Sequence, residues 1–402
     1  MTVPLVVPAL PRLPALDGGW LAVSGTAAGV AAADVKGNGA RRDDVAVLVA
    51  PGSAAAVTTT STAAAASCHW TRARTPGPIH AVVINSGNAN AATGPQGEAD
   101  NARMAQVAAE ALGCAADAVL VCSTGVIGVP LPMGRLLPGV QAAAGALTAP
   151  PDALARAILT TDLVPKTAAV RSHGITVGGF AKGSGMIHPG MATMLAFLAT
   201  DAAVDPHDLH ELLVAACDRS FHAITVDGDQ STNDTVIVQA TGRGRRVRRG
   251  TPAYDALGEA ITAVATDLAR AIARDGEGAT TLVECVVLGG PDDAAARRAA
   301  RAVVGSSLVK SAIHGRDPNW GRILGALGQA GLPGLVGIDV DLAGVPVMRG
   351  GRPLPFDEST ASAALQSPDV QIACRVPGAG LGRAWGCDLS ADYVRINADY
   401  RS

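Results

Sequence analysis

Short runs of consecutive apolar residues alternate along this chain with longer stretches whose apolar positions fall three and four apart. Asp44-Val45-Ala46-Val47-Leu48-Val49-Ala50 has the length and continuity of a buried strand, and Ile79 to Ile84 is another, ending at an Asn/Gly-rich turn that begins at Asn85. Between Asp100 and Leu112 the apolar positions 104, 107, 108, 111 and 112 mark one helix face, and Gly113 is a natural stop. Ala118 to Cys122 then reads as a strand that delivers Ser123-Thr124-Gly125 at its end, and Asp152 to Thr160 as a helix capped by Asp152. Gly174 to Phe180 is a strand feeding a Gly-rich loop. Asp205-Pro206 opens a helix to about Cys217, with the acid as N-cap and proline in the first turn.

Pro252 to Arg274 is the longest helical pattern and Gly276 stops it. Ala279 to Leu288 reads as a strand, and Asp292 to Val304 as a helix with acids at its positive end. Leu335 to Leu342 and Val345 to Arg352 predict a hairpin turning at Ala343-Gly344, with Pro346 placing the second strand at a sheet edge. Ser359 to Leu365 predicts a short helix, Val370 to Val376 a strand, and Val394 to Asn397 a final strand. Gly378-Ala379-Gly380-Leu381-Gly382 follows a strand but opens no helix, so it reads as a turn rather than a dinucleotide loop. Alternating strands and helices with hairpins interleaved predict an α/β chain of mixed, layered sheets.

Composition narrows the picture. At 402 residues the chain has room for two domains, and 48% hydrophobic with only 3% aromatic implies a core of Ala, Val, Leu and Ile. A net charge of −3 argues against a nucleic-acid or anionic-membrane partner; the basic run Arg243 to Arg249 reads as a solvated loop. Seven scattered cysteines without a C-x-x-C pair fit buried free thiols in a reducing compartment. Cys122 reads as one of these, not as a nucleophile. His207 and His210 stand three apart with no carboxylate or cysteine set to complete a metal site. The N-terminus lacks a signal-peptide pattern and no run is long enough to span a bilayer, so the expectation is a soluble, cytoplasmic protein.

The stretch richest in chemistry is Lys182-Gly183-Ser184-Gly185-Met186-Ile187-His188-Pro189-Gly190-Met191-Ala192-Thr193-Met194-Leu195. A threonine behind a small residue, after a Gly/Pro-rich run and before an apolar one, is the layout of a chain that cuts itself. Once the Ala192–Thr193 bond is broken, Thr193 carries a hydroxyl nucleophile and a free α-amine, whose pKa of roughly 7.7–8 suits it as the base.

With this block, Ile84 to Asn90, Cys122 to Gly128, Ser231 to Thr235, Asp275 to Thr280, Asp317 to Arg322 and Asn397 to Ser402 occur in one order along the chain. In these motifs the sequence resembles the ornithine acetyltransferase (glutamate N-acetyltransferase) family over nearly its whole length. The resemblance implies a sandwich of two central mixed sheets between helical layers, plus a smaller C-terminal α/β domain. It implies an α chain of residues 1–192 carrying the oxyanion hole and a β chain of residues 193–402, assembled as an α2β2 heterotetramer. The acetyl group is expected to pass from N2-acetyl-L-ornithine to Thr193 and then to L-glutamate, with acetyl-CoA as a second donor in bifunctional members and no metal or organic cofactor. Thr124 and Gly125 match the family's oxyanion pair. Thr160, Lys182, Thr193, Glu277, Asn397 and Ser402 match its substrate positions, with Thr161 an alternative to Thr160.

Departures bear on specificity. Gly278-Ala279-Thr280-Thr281 ends in threonine where the family commonly has lysine; Leu163 replaces a usual polar residue; His188 and Gly190 vary the loop before the cut; and the segments Thr58 to Ser61 and Gly315 to Asn319 also differ. They keep two alternatives open: a specialised-metabolism paralogue with another acyl donor or amine acceptor, and an amidase or aminopeptidase that hydrolyses the ester.

Overall fold

The computed structural model of the chain describes residues 3–39, 41–188 and 194–399. It forms two compact units, Arg12–His222 with Asp229–Ile272, and the smaller Met1–Pro11 with Ala223–Gly228 and Ala273–Ser402. Each is built on one mixed sheet with helices, the α/β architecture expected from the sequence.

The larger unit runs β1 (Ala27–Ala31), β2 (Val45–Thr58), α1 (Ala66–Arg72), β3 (Gly77–Asn88), α2 (Gly94–Leu112), β4 (Val119–Val126), α3 (Met133–Gly145), α4 (Pro151–Ala157), β5 (Lys166–Ser172), β6 (Ile175–Lys182), β7 (Leu195–Thr200), α5 (Pro206–Arg219), β8 (Thr235–Ala240) and α6 (Pro252–Arg274). Its strand order is β4-β3-β2-β8-β7-β6-β5, with β1 added on β2. β3/β4 and β7/β8 are parallel and the other pairs antiparallel.

Both faces of this sheet are buried, which is why its strands read as unbroken apolar runs. On β2, β3 and β4, residues Ala46, Leu48, Val82, Ile84, Leu120 and Cys122 enter one core with α4 residues Leu154 and Ala155. The alternate residues Val45, Val47, Ala81, Val83, Val119 and Val121 enter the other, against Met104 and Ala108 of α2 and Leu136 and Val140 of α3. The pleat sends neighbours to opposite faces, so one sequence run supplies both cores. Burial pushes the Cys122 thiol well above its ordinary value, in keeping with an inert core residue.

Register positions the site. Lys182 pairs with Leu195, Leu195 with Thr235, and Thr235 with Thr58, so one row crosses the ends of β6, β7, β8 and β2. The chain leaves that row at Lys182 and re-enters at Leu195.

In the smaller unit β9 (Leu282–Gly290), α7 (Asp293–Gly305), α8 (Ser307–His314), α9 (Trp320–Gln329), β10 (Asp339–Leu342), β11 (Val345–Arg349), β12 (Arg352–Pro353), α10 (Glu358–Ala364), β13 (Asp369–Gly378), β14 (Leu381–Cys387) and α11 (Ala391–Ala398) follow. The order is β12-β11-β10-β13-β9-β14, and Val283, Cys285, Val287, Ile372 and Cys374 pack with Ala296, Ala300 and Val303 of α7.

Several expectations change in detail. Asp205 and Asp292 do cap α5 and α7, accepting the N–H groups of His207 and Ala295. Asp152 does not cap α4: Pro150 holds that position, and Asp152 accepts from Arg156 at 2.8 Å one turn on. β3 continues through Asn85 to Asn88 instead of turning there. The hairpin keeps its turn at Ala343-Gly344, but residues 335–337 form a 3-10 turn and β11 has the two-residue β12 outside it. Val394 to Asn397 is part of helix α11, started by the Ser390 hydroxyl accepting from Asp392, and not a strand.

Asp388, just after β14, is a structural hub. Its carboxylate accepts from the N–H groups of Thr280 (2.7 Å) and Thr281 (2.9 Å) and the Thr280 hydroxyl (2.6 Å), and His314 Nδ1 lies 2.7 Å away. Burial alone would raise its pKa, but the Thr280 contacts, followed by His314 and Thr281, hold it below the usual carboxylate range. A depressed folded value stabilises the protein above the unfolded pKa, and that stability is lost as pH falls through the folded value. We therefore expect Asp388→Asn to lose about 2 kcal/mol in denaturant unfolding near pH 7, with the difference shrinking as the pH falls below the ordinary carboxylate range. A deficit that does not change with pH would contradict this assignment.

Candidate active site

Thr124 and Gly125 stand at the end of β4, where the parallel register with β3 becomes irregular at Gly87 and Asn88. Gly125 has φ +135°, and a Cβ there would lie 2.2 Å from the carbonyl carbon of Gly87 and 2.4 Å from the nitrogen of Asn88. Only glycine allows the two strand ends to cross this closely. Asn233 braces the crossing from behind, its Nδ2 donating to Ala89 O (2.6 Å) and Ser123 O (2.9 Å). Asn88 Nδ2 ties the same turn forward to the carbonyls of Val129 and Pro130. The Ser-Thr-Gly end of β4 is thus held on both sides.

Lys182, the last residue of β6, is only 2% exposed, and its Nζ donates to Thr124 Oγ1 at 3.3 Å. The same ammonium lies 4.0 Å from Asp162 Oδ2. Asp162 accepts from Lys166 Nζ (2.7 Å) and Gly183 N (2.6 Å) on Oδ1, and from Thr160 N (3.3 Å) on Oδ2. Burial would push this carboxyl up, but the ammonium groups of Lys182 and Lys166 and the Gly183 N–H hold it below its ordinary value. The Lys182 ammonium thus stands beside Thr124 at the end of β4, where a positive charge favours an anion forming.

Thr160 and Thr161 are separated by their hydroxyls. Thr161 Oγ1 is 2.7 Å from Ser184 Oγ, whereas the Thr160 hydroxyl makes no protein hydrogen bond among the described residues.

Ala192 and Thr193 lie outside the described residues. The next residue, Met194, donates its N–H to Asp234 Oδ1 at 2.9 Å and accepts from Thr235 N at 3.2 Å. Asp234 Oδ2 has no partner among the described residues. Burial, outweighing the Met194 N–H and Lys182, pushes Asp234 well above the carboxylate range, toward its neutral form.

Glu277 and Asn397 belong to the smaller unit and form a cluster of their own. Asn397 Nδ2, on α11, donates to Glu277 Oε2 at 2.8 Å. Gly278 follows at φ +71°, where a Cβ would come within 2.5 Å of Tyr393 N, and Ser390 Oγ donates to its carbonyl at 2.6 Å. The C-terminal helix is thereby stitched onto the Glu277 turn. Ser402 lies outside the described residues.

The structure thus brings Thr124, Gly125, Thr160 and Lys182 together in one unit and Glu277 with Asn397 in the other. Sequence reasoning did not single out Asp162, Asn233 or Asp234. Asn233 and Asp234 sit inside the Ser231 to Thr235 motif and Asp162 follows Thr161, but the signal of each is burial, and burial of a polar residue is not written locally.

A family profile described as ArgJ matches residues 27–402. The arginine biosynthesis bifunctional protein ArgJ of Symbiobacterium thermophilum is 51% identical over 401 residues, covering 96% of this chain and 99% of that protein. The protein of the same name from Thermus thermophilus is 47% identical over 382 residues, covering 94% of this chain and 98% of its own. Among solved structures, the arginine biosynthesis bifunctional protein ArgJ of Bacillus halodurans matches with TM-score 0.50 at 43% identity, covering 51% of this chain and 99% of that chain.

Proposed function

This chain belongs to the ArgJ family, and from that premise we propose that it is a glutamate N-acetyltransferase of arginine biosynthesis working through an acetyl-Thr193 intermediate. The observation that carries the reading is the hydrogen bond from buried Lys182 to Thr124, beside Gly125, with Lys182 on the strand row where the chain re-enters the sheet two residues after Thr193.

In this mechanism Thr193 Oγ first attacks the Ala192 carbonyl; the Ala192–Thr193 C–N bond breaks, its nitrogen taking a proton to become the free α-amine, and water then hydrolyses the resulting ester to give the Ala192 carboxylate and the free Thr193 hydroxyl. That amine then takes the hydroxyl proton as Thr193 Oγ adds to the acetyl carbonyl of N2-acetylornithine. Thr124 and Gly125 receive the oxyanion. The C–N bond to ornithine breaks, with the proton returned to the leaving amine, and the amine of glutamate attacks the threonine ester in turn. Thr160, Lys182, Glu277, Asn397 and Ser402 hold the amino-acid portions, Glu277 being the partner for an ammonium.

Residues 1–192 and 193–402 would remain together after the cut, because β7 and β8 from the second piece are hydrogen-bonded to β6 and β2 of the first. An α2β2 assembly, a cytoplasmic location and acetyl-CoA as a second donor belong to the same proposal; no helix among the described residues is long and apolar enough to cross a membrane.

One assay tests it. Purified protein given N2-acetylornithine and glutamate should release N-acetylglutamate and ornithine in equal amounts, with free acetate a minor product. Acetate as the main product would make the protein a hydrolase, and turnover of another amine in place of glutamate would make it a paralogue.

A further inference from the structure

Helix α11 has no buried residue among those described, and at 8 residues it is too short to persist in water by itself. Two polar ties bring it onto the turn that carries Glu277. At its start the Ser390 hydroxyl accepts from Asp392 N at 3.2 Å and donates to Gly278 O at 2.6 Å. Near its end Asn397 Nδ2 donates to Glu277 Oε2 at 2.8 Å. The turn itself is closed by Ala279 N donating to Gly276 O at 2.8 Å, with Glu277 and Gly278 between them. Gly278 takes φ +71°, and a Cβ there would meet Tyr393 N at 2.5 Å. Glycine thus lets the first turn of α11 close on the peptide that follows Glu277, whose own side of the turn is only 8% exposed.

A serine hydroxyl has one proton to give and two lone pairs to receive. Ser390 gives its proton to the turn and receives from the helix, so one group joins the cap of α11 to the backbone beside the carboxylate that α11 also holds through Asn397. Resting on the acyl-transfer reading above, with Glu277 as the partner of a substrate ammonium, we propose that Ser390 is a positioning residue for donor binding: it locks α11 onto Gly278 and so aims the Glu277 carboxylate at the side-chain ammonium of N2-acetylornithine. That ammonium takes no part in the bonds that form and break, so the contribution is to binding rather than to turnover.

The test compares Ser390→Ala, Ser390→Asp, Ser390→Thr, Glu277→Gln and the Ser390→Ala/Glu277→Gln double variant in the full-length, self-cut protein. Ser390→Ala should raise KM for N2-acetylornithine by about 5- to 10-fold, the scale of one lost cap or hydrogen bond, with kcat within about threefold of wild type. Ser390→Asp still caps α11 but has no proton for the Gly278 carbonyl, so the helix forms and KM should still rise about fivefold, which decides the matter even if the alanine variant does not fold. Ser390→Thr restores the hydroxyl and should bring KM to within about twofold of wild type. In the double variant Ser390→Ala should add less than about twofold to the KM of Glu277→Gln, because it acts through that carboxylate. Ser306→Ala, which removes the serine cap of α8 in the same unit, should leave KM unchanged. An unchanged KM in Ser390→Asp, a loss confined to kcat, KM increases that multiply in the double variant, or an equal rise in Ser306→Ala would overturn the proposal. A wild-type protein that made no N-acetylglutamate would instead sink the reading beneath it.

Discussion

Thr193→Ala should yield a single uncut chain of 40.2 kDa with no measurable acetyl transfer. The variant loses the hydroxyl that attacks Ala192 and the hydroxyl that would carry the acetyl group, so one substitution removes both events. Knockouts of an acyl-enzyme nucleophile cost on the order of 10⁴–10⁶ in kcat, and this one also leaves the α-amine locked in a peptide bond. Thr193→Ser keeps an alcohol and should still cut, more slowly. Denaturing electrophoresis and a coupled assay on the same preparations check both variants. Substantial transfer by an uncut Thr193→Ala chain would mean the acetyl group travels by another route.

The second large effect is expected at Gly125. An alanine there must adopt φ near +135° and place its methyl 2.2 Å from the Gly87 carbonyl carbon, so the β3–β4 crossing has to open. The backbone that should receive the oxyanion moves with it. Gly125→Ala should lower kcat by about 10²–10³-fold, the scale of one lost oxyanion donor. Gly134, in α3 with nothing within 4 Å of its would-be Cβ, is the control: Gly134→Ala should leave turnover unchanged and add up to about 1 kcal/mol of stability. Gly125→Ala turning over within about threefold of wild type would place the oxyanion elsewhere.

Much of the fold was legible because burial on both sheet faces leaves a continuous apolar signature, as in Val45 to Ala50, and because Asp caps mark α5 and α7 with local chemistry. Helix α11 was misread for a physical reason. Val394 and Ile396 alternate with Arg395 and Asn397 as in a half-buried strand, yet they are 66% and 38% exposed, so no core enforces that pattern. Helix α9 opens inside the Asp317 to Arg322 motif, whose residues stand out for their identity rather than as a periodic face. The outline of the site was visible through resemblance, but its supports were not. Asn233 grips Ala89 and Ser123 from 144 and 110 residues away, and Asp162 meets Gly183 across 21. Such contacts arise only when the sheet assembles, and no local spacing announces them.

Intact mass spectrometry of the purified protein, with and without N2-acetylornithine, tests the central claim most directly. We predict two polypeptides, residues 1–192 and 193–402, with an acetyl adduct appearing on the second alone when the donor is present and vanishing when glutamate is added. A continuous polypeptide that nonetheless turns over, or an adduct found on residues 1–192, would contradict the account.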